Sequence, residues 1–146
     1  MADRLSVSND IIEGLVNNID KVNMLGMRKG SIDRSELISF AMALGVAKGV
    51  RTPLRQRKGF SQSSSFQNKP FESYIYSVAL NDLKKENSEN LISDTDVVYK
   101  IVEEYAQTGF DEIQKMFGDF SDYSEEDCIY RMIEFMDDMY EKLKPE

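Results

Sequence analysis

The stretch that decides the fold is Glu36-Leu37-Ile38-Ser39-Phe40-Ala41-Met42-Ala43-Leu44-Gly45-Val46-Ala47-Lys48-Gly49-Val50, an almost uninterrupted apolar run. Just before it, Asp33-Arg34-Ser35-Glu36 has the spacing of a capping box, with an acidic residue three positions after the cap. The stretch therefore predicts a helix over 36–50. Because its apolar residues fall on nearly every side, we expect this helix to lie at the centre of the protein or in a subunit interface.

Upstream of this run, Arg4-Leu5-Ser6-Val7-Ser8 alternates polar and apolar residues, which is typical of a short strand. An amphipathic helix is predicted to follow, capped by Ser8 or Asn9 and ending at Gly26. Its apolar residues share one face: Ile12, Leu15, Val16, Ile19 and Val22.

Downstream, residues 51–69 are basic and then serine-rich, which predicts a loop or linker that is mobile unless bound. Three amphipathic helices are predicted beyond it. The first starts near Pro70, the second runs from Ser93 or Asp94 to Gly118 with a bend at Gly109, and the third is capped by Ser124. The third has the most regular apolar spacing: Ile129, Met132, Ile133, Met136, Met139, Tyr140 and Leu143.

These patterns predict a mostly α-helical fold, with about five helices in a compact bundle and a short N-terminal strand. We expect an N-terminal helical unit over 1–50, a basic serine-rich loop or linker over 51–69, and an acidic three-helix unit over 70–146 that packs on the first. A chain of 146 residues can bury a core that needs no disulfide or metal.

Charge is divided unevenly along the chain. Residues 1–69 contain 11 Lys/Arg against 6 Asp/Glu, a net charge of +5, whereas residues 70–146 contain 7 against 20, a net charge of −13. Such a division favours one surface for a polyanion or acidic partner and another for a basic partner.

Cationic side chains cluster in the turn before the central helix and in the segment after it. At this density they would neutralise phosphates and release counterions. The candidate nucleic-acid contacts are Arg4, Arg28, Lys29, Arg34, Arg51, Arg55, Arg57 and Lys58. Two alternatives stay open at this point: the same groups are only solvated, or they pair with the protein's own acidic half until a partner releases them.

Acidic pairs occur along the predicted helices, among them Glu103-Glu104 and Asp111-Glu112. Adjacent helical residues point about 100° apart, so such pairs do not converge on one metal ion. We interpret them as solvated helix faces, and we expect neither a metal nor another cofactor. The candidate docking residues for a basic protein partner are Glu125, Glu126, Asp127, Asp137 and Asp138.

Several residue types that enzymes use are missing or isolated. The chain has no histidine, which removes the usual general base and most zinc sites. Cys128 is the only cysteine and lies among carboxylates, which raise a thiol pKa, so we interpret it as structural. We therefore predict a protein that is not an enzyme. One cysteine, no apolar run that spans a membrane and no signal-like N-terminus favour the cytoplasm.

The first 50 residues resemble the ribbon–helix–helix DNA-binding pattern, on the strand Arg4-Leu5-Ser6-Val7-Ser8 and the helix start Arg34-Ser35-Glu36-Leu37-Ile38. That resemblance implies a strand paired across a dimer, with Arg4, Ser6 and Ser8 towards DNA and Leu5 and Val7 towards the core. The same segment, with Lys48-Gly49 and the basic tail, also resembles the small helical subunit of bacterial DNA phosphorothioation systems. This second resemblance implies phage defence and an association with DNA ends or nicks.

The leading hypothesis is a DNA-associated accessory subunit of a bacterial defence or DNA-modification complex. Its basic loop would contact phosphates and its acidic helices would bind a partner subunit. One alternative is an acidic adaptor or inhibitor that mimics DNA. The other is a small dimeric ribbon–helix–helix regulator, and homo-oligomerisation is left open.

Overall fold

The computed structural model describes residues 4–16, 34–62 and 69–117, and nine residues of a further helix, namely 130, 131, 133, 134, 136–138, 140 and 141. Its elements, in chain order, are β1 (Arg4–Ser8), a π-helical segment (Ile11–Val16), α1 (Arg34–Lys48), β2 (Arg57–Gln62), α2 (Lys69–Lys85), a 3-10 helix (Glu89–Ser93) and α3 (Thr95–Phe117). With the residues between 130 and 141, which we call the C-terminal helix, the described part of the chain has four α-helices. The mostly helical fold with a short N-terminal strand is confirmed, and the described residues contain four α-helices where about five were predicted for the whole chain.

The two strands pair antiparallel within the chain and tie the N-terminal segment to the body. Ser8 lies opposite Arg57 and Ser6 opposite Gly59, after which the register shifts so that Phe60 forms a β-bulge. The ring of Phe60 meets the ring of Phe110 edge-on, with centroids 6.1 Å apart. The bulge therefore helps to anchor β2 on α3.

Strand β2 lies inside the segment whose composition predicted a loop or linker. Arg57, Lys58 and Gly59 have little intrinsic preference for a strand, and the pairing partner β1 lies far earlier in the chain. The strand forms because Leu5 and Val7 of β1 are buried in the core and bring β1 alongside residues 57–62.

Helix α3, rather than α1, is the central element. It contacts α1, α2, β1, the π-helical segment and the 3-10 helix. Its buried apolar residues are Val98, Tyr99, Ile101, Val102, Tyr105, Ala106, Phe110 and Ile113. Helix α1 buries Leu37, Ile38, Ala41 and Met42 but leaves Val46 exposed, so its apolar run is only partly covered.

Two glycines set the distance between α1 and α3. A Cβ atom on Gly45 would lie 1.9 Å from the carbonyl oxygen of Tyr105, and a Cβ atom on Gly109 would lie 1.8 Å from that of Ala41. No side chain fits at either position, so the two helix backbones are in direct contact. Gly109 is thus a packing site inside helix α3, which is unbroken from Thr95 to Phe117.

The predicted helix ends fall close to the observed ones. Asp94 caps α3, since its Oδ1 accepts the backbone N–H groups of Asp96 at 3.0 Å and Val97 at 3.4 Å. Helix α2 begins one residue before Pro70. Helix α1 ends at Lys48, where Gly49 takes a left-handed conformation with φ of 74°.

The predicted helix after β1 is described only at its start. Asn9 and Asp10 are helical and continue into the π-helical segment, where Ile11 is buried. The rest of that predicted helix, and the predicted cap Asp33, lie outside the described residues.

Candidate nucleic-acid and partner interfaces

The basic segment, residues 51–58, lies against the polar face of α3. This face carries two rows of side chains spaced four residues apart, and such residues stack on one side of a helix. The first row is Glu103, Gln107 and Asp111, and it binds β1 and the end of the basic segment. The second row is Glu104, Thr108 and Glu112, and it binds the beginning of the basic segment and the end of α1.

Glu103 joins three elements. Its Oε2 accepts the backbone N–H of Ser6 in β1 at 2.5 Å, and its Oε1 accepts Nη2 of Arg57 at 2.8 Å. The Glu103 side chain is fully buried, whereas Arg57 is about half exposed. Burial raises the pKa of Glu103, and the Ser6 N–H and the Arg57 charge offset only part of that rise.

Gln107 links the strand to the middle of the basic segment. The Ser8 hydroxyl donates to Oε1 of Gln107 at 2.6 Å and accepts the backbone N–H of Arg55 at 2.9 Å. The Gln107 amide donates to Asp111 at 3.0 Å. The Arg55 guanidinium binds Asp10 at 2.9 Å and approaches Asp111 at 3.5 Å, so its charge is shared between two carboxylates at the surface.

Arg51 makes the most enclosed ion pairs of the segment. Its Nε and Nη2 bind Oε1 of Glu104 at 3.0 and 2.8 Å, and its Nη1 binds Asp82 of α2 at 2.7 Å. Burial disfavours the cation, but the two carboxylates outweigh burial and raise the pKa of Arg51. Asp82 also accepts the Tyr105 hydroxyl, and burial together with this carboxylate raises the pKa of Tyr105 to about 12.

Thr108 and Glu112 complete the second row. The Thr108 hydroxyl donates to the carbonyl oxygen of Val50 at 2.8 Å and lies 2.7 Å from the hydroxyl of Thr52. Glu112 pairs with Lys48 at the end of α1, and this hydrogen bond lowers the pKa of Glu112. Residues 48–57 are therefore bound to α3 through side chains of both rows.

A first test concerns the buried carboxylate. Between the ordinary pKa of 4.5 and the raised pKa of Glu103, the folded protein holds a proton that the unfolded chain has lost, so this group lowers stability as the pH rises. Glu103→Gln removes the titration and keeps an acceptor for the Ser6 N–H. We expect the free energy of unfolding of the variant, relative to that of the wild type, to increase as the pH rises above 4.5, as measured by urea unfolding.

Glu112→Gln is the control with the opposite sign. Because the pKa of Glu112 is lowered, its charge stabilises the fold above the lowered pKa. The free energy of unfolding of this variant, relative to that of the wild type, should decrease as the pH rises towards 4.5. A parallel pH dependence for Glu103→Gln and the wild type would contradict a raised pKa for the buried Glu103.

The four predicted nucleic-acid contacts of the basic segment differ in their surroundings. Arg51 is held by two carboxylates, and Arg55 and Arg57 are paired but half exposed. Lys58 is exposed in β2 and makes no ion pair with the described residues. The sequence left self-pairing open, and the structure brings three of the four cations onto the protein's own carboxylates.

The remaining predicted contacts are only partly described. Arg4 and Arg34 are the first residues of β1 and α1. Asp137 and Asp138 are exposed on the C-terminal helix. The others lie outside the described residues: Arg28, Lys29, Glu125, Glu126 and Asp127.

The strand does not match the ribbon–helix–helix arrangement. Leu5 and Val7 face the core, as that resemblance implies. However, β1 pairs with β2 of its own chain, and Ser6 and Ser8, which were expected to face DNA, are 9% and 0% exposed. Both are bound to α3, so the expectation that they reach DNA is wrong, and the strand-paired dimer loses its basis.

The C-terminal helix presents apolar and acidic side chains to solvent. Four of its large apolar residues are exposed, namely Tyr130 (59%), Ile133 (50%), Met136 (55%) and Tyr140 (63%). Its described carboxylates are exposed too: Glu134, Asp137, Asp138 and Glu141. Three members of the apolar stripe predicted from the sequence thus face solvent.

The residues that hold the basic segment were missed by sequence reasoning. Glu103-Glu104 and Asp111-Glu112 were interpreted as solvated, yet Glu103 is buried and all four bind cations of residues 48–57. The signal available in the sequence was the two rows of polar residues, each spaced by four positions, inside an otherwise apolar helix. It shows which face is polar, but not what covers it.

The described residues contain neither a candidate metal site nor a helix that could span a membrane. Among residues 4–16, 34–62 and 69–117 and the described residues of the C-terminal helix, no group of acidic or sulfur side chains could hold a metal ion. No helix in the same part of the chain is long and apolar enough to cross a membrane.

The described residues form a mostly helical protein with an internally paired basic segment and a C-terminal helix that exposes acidic and apolar side chains. Residues 31–142 match the model of the family DNA sulphur modification system-associated protein 4, so the chain belongs to that family. This agrees with the resemblance to the phosphorothioation subunit. No curated protein and no solved structure matches the chain.

Proposed function

We propose that this chain is a non-enzymatic accessory subunit of a DNA sulphur modification system in the cytoplasm, associated with DNA through exposed cations and with a partner protein through its acidic C-terminal helix. The observation that carries the proposal is that this helix exposes apolar side chains beside carboxylates, in a family named for association with such a system. An exposed surface of this kind typically marks a protein-binding site.

The DNA contact is assigned to Arg55, Arg57 and Lys58. Arg57 binds Glu103 through Nη2, which leaves donors of a half-exposed guanidinium for a phosphate. Arg51 is left out of this contact because Nε, Nη1 and Nη2 are all used and only 27% of its side chain is exposed.

The DNA contact is tested by changing the three cations together. We expect Arg55→Gln, Arg57→Gln and Lys58→Gln to weaken binding to a DNA duplex. The slope of log affinity against log salt should flatten by about 0.9 for each phosphate that the variant no longer neutralises. Fluorescence anisotropy over a salt series measures both quantities.

The matched control changes three exposed lysines elsewhere, Lys84, Lys85 and Lys100, to glutamine. It alters the net charge by the same amount and should change the slope of log affinity against log salt only slightly. Equal slopes for the two triple variants would contradict a phosphate contact at residues 55–58.

The absence of catalysis is inferred from the sequence. The chain has no histidine, and its single cysteine has no imidazole to activate it. The accessory role therefore consists of binding DNA and protein at the same time.

A second candidate is an acidic adaptor that mimics DNA. It is favoured by the pairing of Arg51, Arg55 and Arg57 with the protein's own carboxylates, which reduces the positive charge available to a phosphate. The mimic would compete with DNA for one site on the partner, whereas the accessory subunit would join DNA and partner in one complex.

A further inference from the structure

We infer that the C-terminal helix inserts its apolar stripe into a groove of a partner protein whose floor is apolar and whose rim carries lysine or arginine. This inference rests on the proposed accessory role and specifies the chemistry of the partner. It follows from the placement of apolar and acidic residues on one helix.

The apolar residues form a continuous stripe. At 3.6 residues per turn, Tyr130, Ile133, Met136 and Tyr140 fall within an arc of about 120°. Each is half exposed or more in the folded chain. Exposed apolar residues that line one helix face for about three turns are the recognition pattern of a helix that binds in a groove.

Charge determines which occupant fits this stripe. The described residues of the helix carry four carboxylates and one guanidinium, that of Arg131. On the same helical geometry, Glu134, Asp138 and Glu141 lie along the flank of the stripe next to Tyr130. Asp137 lies at that edge of the stripe, between Ile133 and Tyr130. A groove edged by lysine or arginine would complement this flank, speed association and fix the orientation of the helix.

Other occupants are disfavoured by the same charges. A second copy of this helix would bring the carboxylate flanks of two stripes near each other, and like charges across an interface oppose association. DNA and anionic lipid would be repelled for the same reason. A basic, apolar-lined groove on a protein satisfies both the stripe and its flank.

The experiment uses the full chain and the separately purified proteins of the DNA sulphur modification system, each immobilised for biolayer interferometry. Ile133→Gln with Met136→Gln removes the centre of the stripe, and glutamine supports a helix about as well as methionine. We expect binding to weaken about 30-fold, mainly through faster dissociation. Circular dichroism checks that the helix content is unchanged.

A second variant tests the acidic flank. Glu134→Gln, Asp137→Asn and Asp138→Asn together should slow association about tenfold, with little change in dissociation. The control is Leu91→Gln, which removes an exposed apolar side chain on the 3-10 helix and should bind like the wild type.

The outcomes separate the inference from the proposed function. If one of the system's proteins binds the wild type and the stripe variant equally well, the inference that the stripe binds in a groove is wrong, whereas the accessory role is retained. If none of them binds the wild type, both fail. If light scattering shows a dimer of the wild type that the stripe variant abolishes, the occupant is a second copy and the inference is overturned.

Discussion

Replacing Gly109 with alanine should destabilise the protein by about 3 kcal/mol or more, although alanine is the better helix former by about 1 kcal/mol. The new Cβ atom would lie 1.8 Å from the backbone oxygen of Ala41, so α1 and α3 must move apart. The helices can only separate by opening the main interface of the core. Urea unfolding followed by circular dichroism measures the loss.

Gly14→Ala is the matched control for this substitution. A Cβ atom at Gly14 meets nothing within 4 Å, so this change should be neutral or stabilise by up to about 1 kcal/mol. A Gly109→Ala protein as stable as the wild type would show that α1 and α3 are not in backbone contact.

Replacing Arg51 with methionine should destabilise the fold by about 2–3 kcal/mol. Breaking a fully buried ion pair costs about 3–5 kcal/mol, and the remaining exposure of Arg51 reduces that loss. Methionine keeps the aliphatic stem, so the effect comes from Asp82 and Glu104, which are 12% and 13% exposed and would lose their cation.

Lys58→Met serves as the control because Lys58 is exposed and makes no ion pair with the described residues. Its free energy of unfolding should stay within about 0.5 kcal/mol of the wild type. The ion pairs assigned to Arg51 would be wrong if Arg51→Met unfolded at the same urea concentration as Lys58→Met. Arg51→Met should also retain the salt dependence of DNA binding. This result would separate the role of Arg51 in stability from the role of Arg55 and Arg57 in binding DNA.

The parts of the fold that the sequence predicted well are those set by local patterns. The alternation in residues 4–8 predicted β1, the Asp94 cap predicted the start of α3, and Pro70 predicted the start of α2. In each case the determining residues are neighbours in the chain, so their spacing carries the information.

Long-range contacts were not predictable in the same way. Strand β2 has little strand propensity and forms through β1, and the contact of Gly45 and Gly109 with the opposite helix depends on how α1 and α3 cross. Nothing near these residues in the sequence specifies either contact. Gly109 was accordingly predicted to be a bend.

The candidate interfaces show the same division. The cations of residues 51–58 were identified from the sequence, but their pairing with α3 joins residues about 50 positions apart and could only be left as one alternative. The apolar stripe of the last helix was predicted from its spacing for Ile133, Met136 and Tyr140, but not for Tyr130. Its exposure depends on packing, which the spacing does not contain.

The function proposed for this chain requires that it join DNA and a partner protein of its system in one complex. Sedimentation velocity of the wild-type chain, mixed with the purified proteins of the DNA sulphur modification system and a DNA duplex, tests this requirement. We expect one sedimenting species that contains the chain, a protein of the system and DNA together. Separate sedimentation of the chain in every mixture, or displacement of DNA when the chain binds, would contradict it.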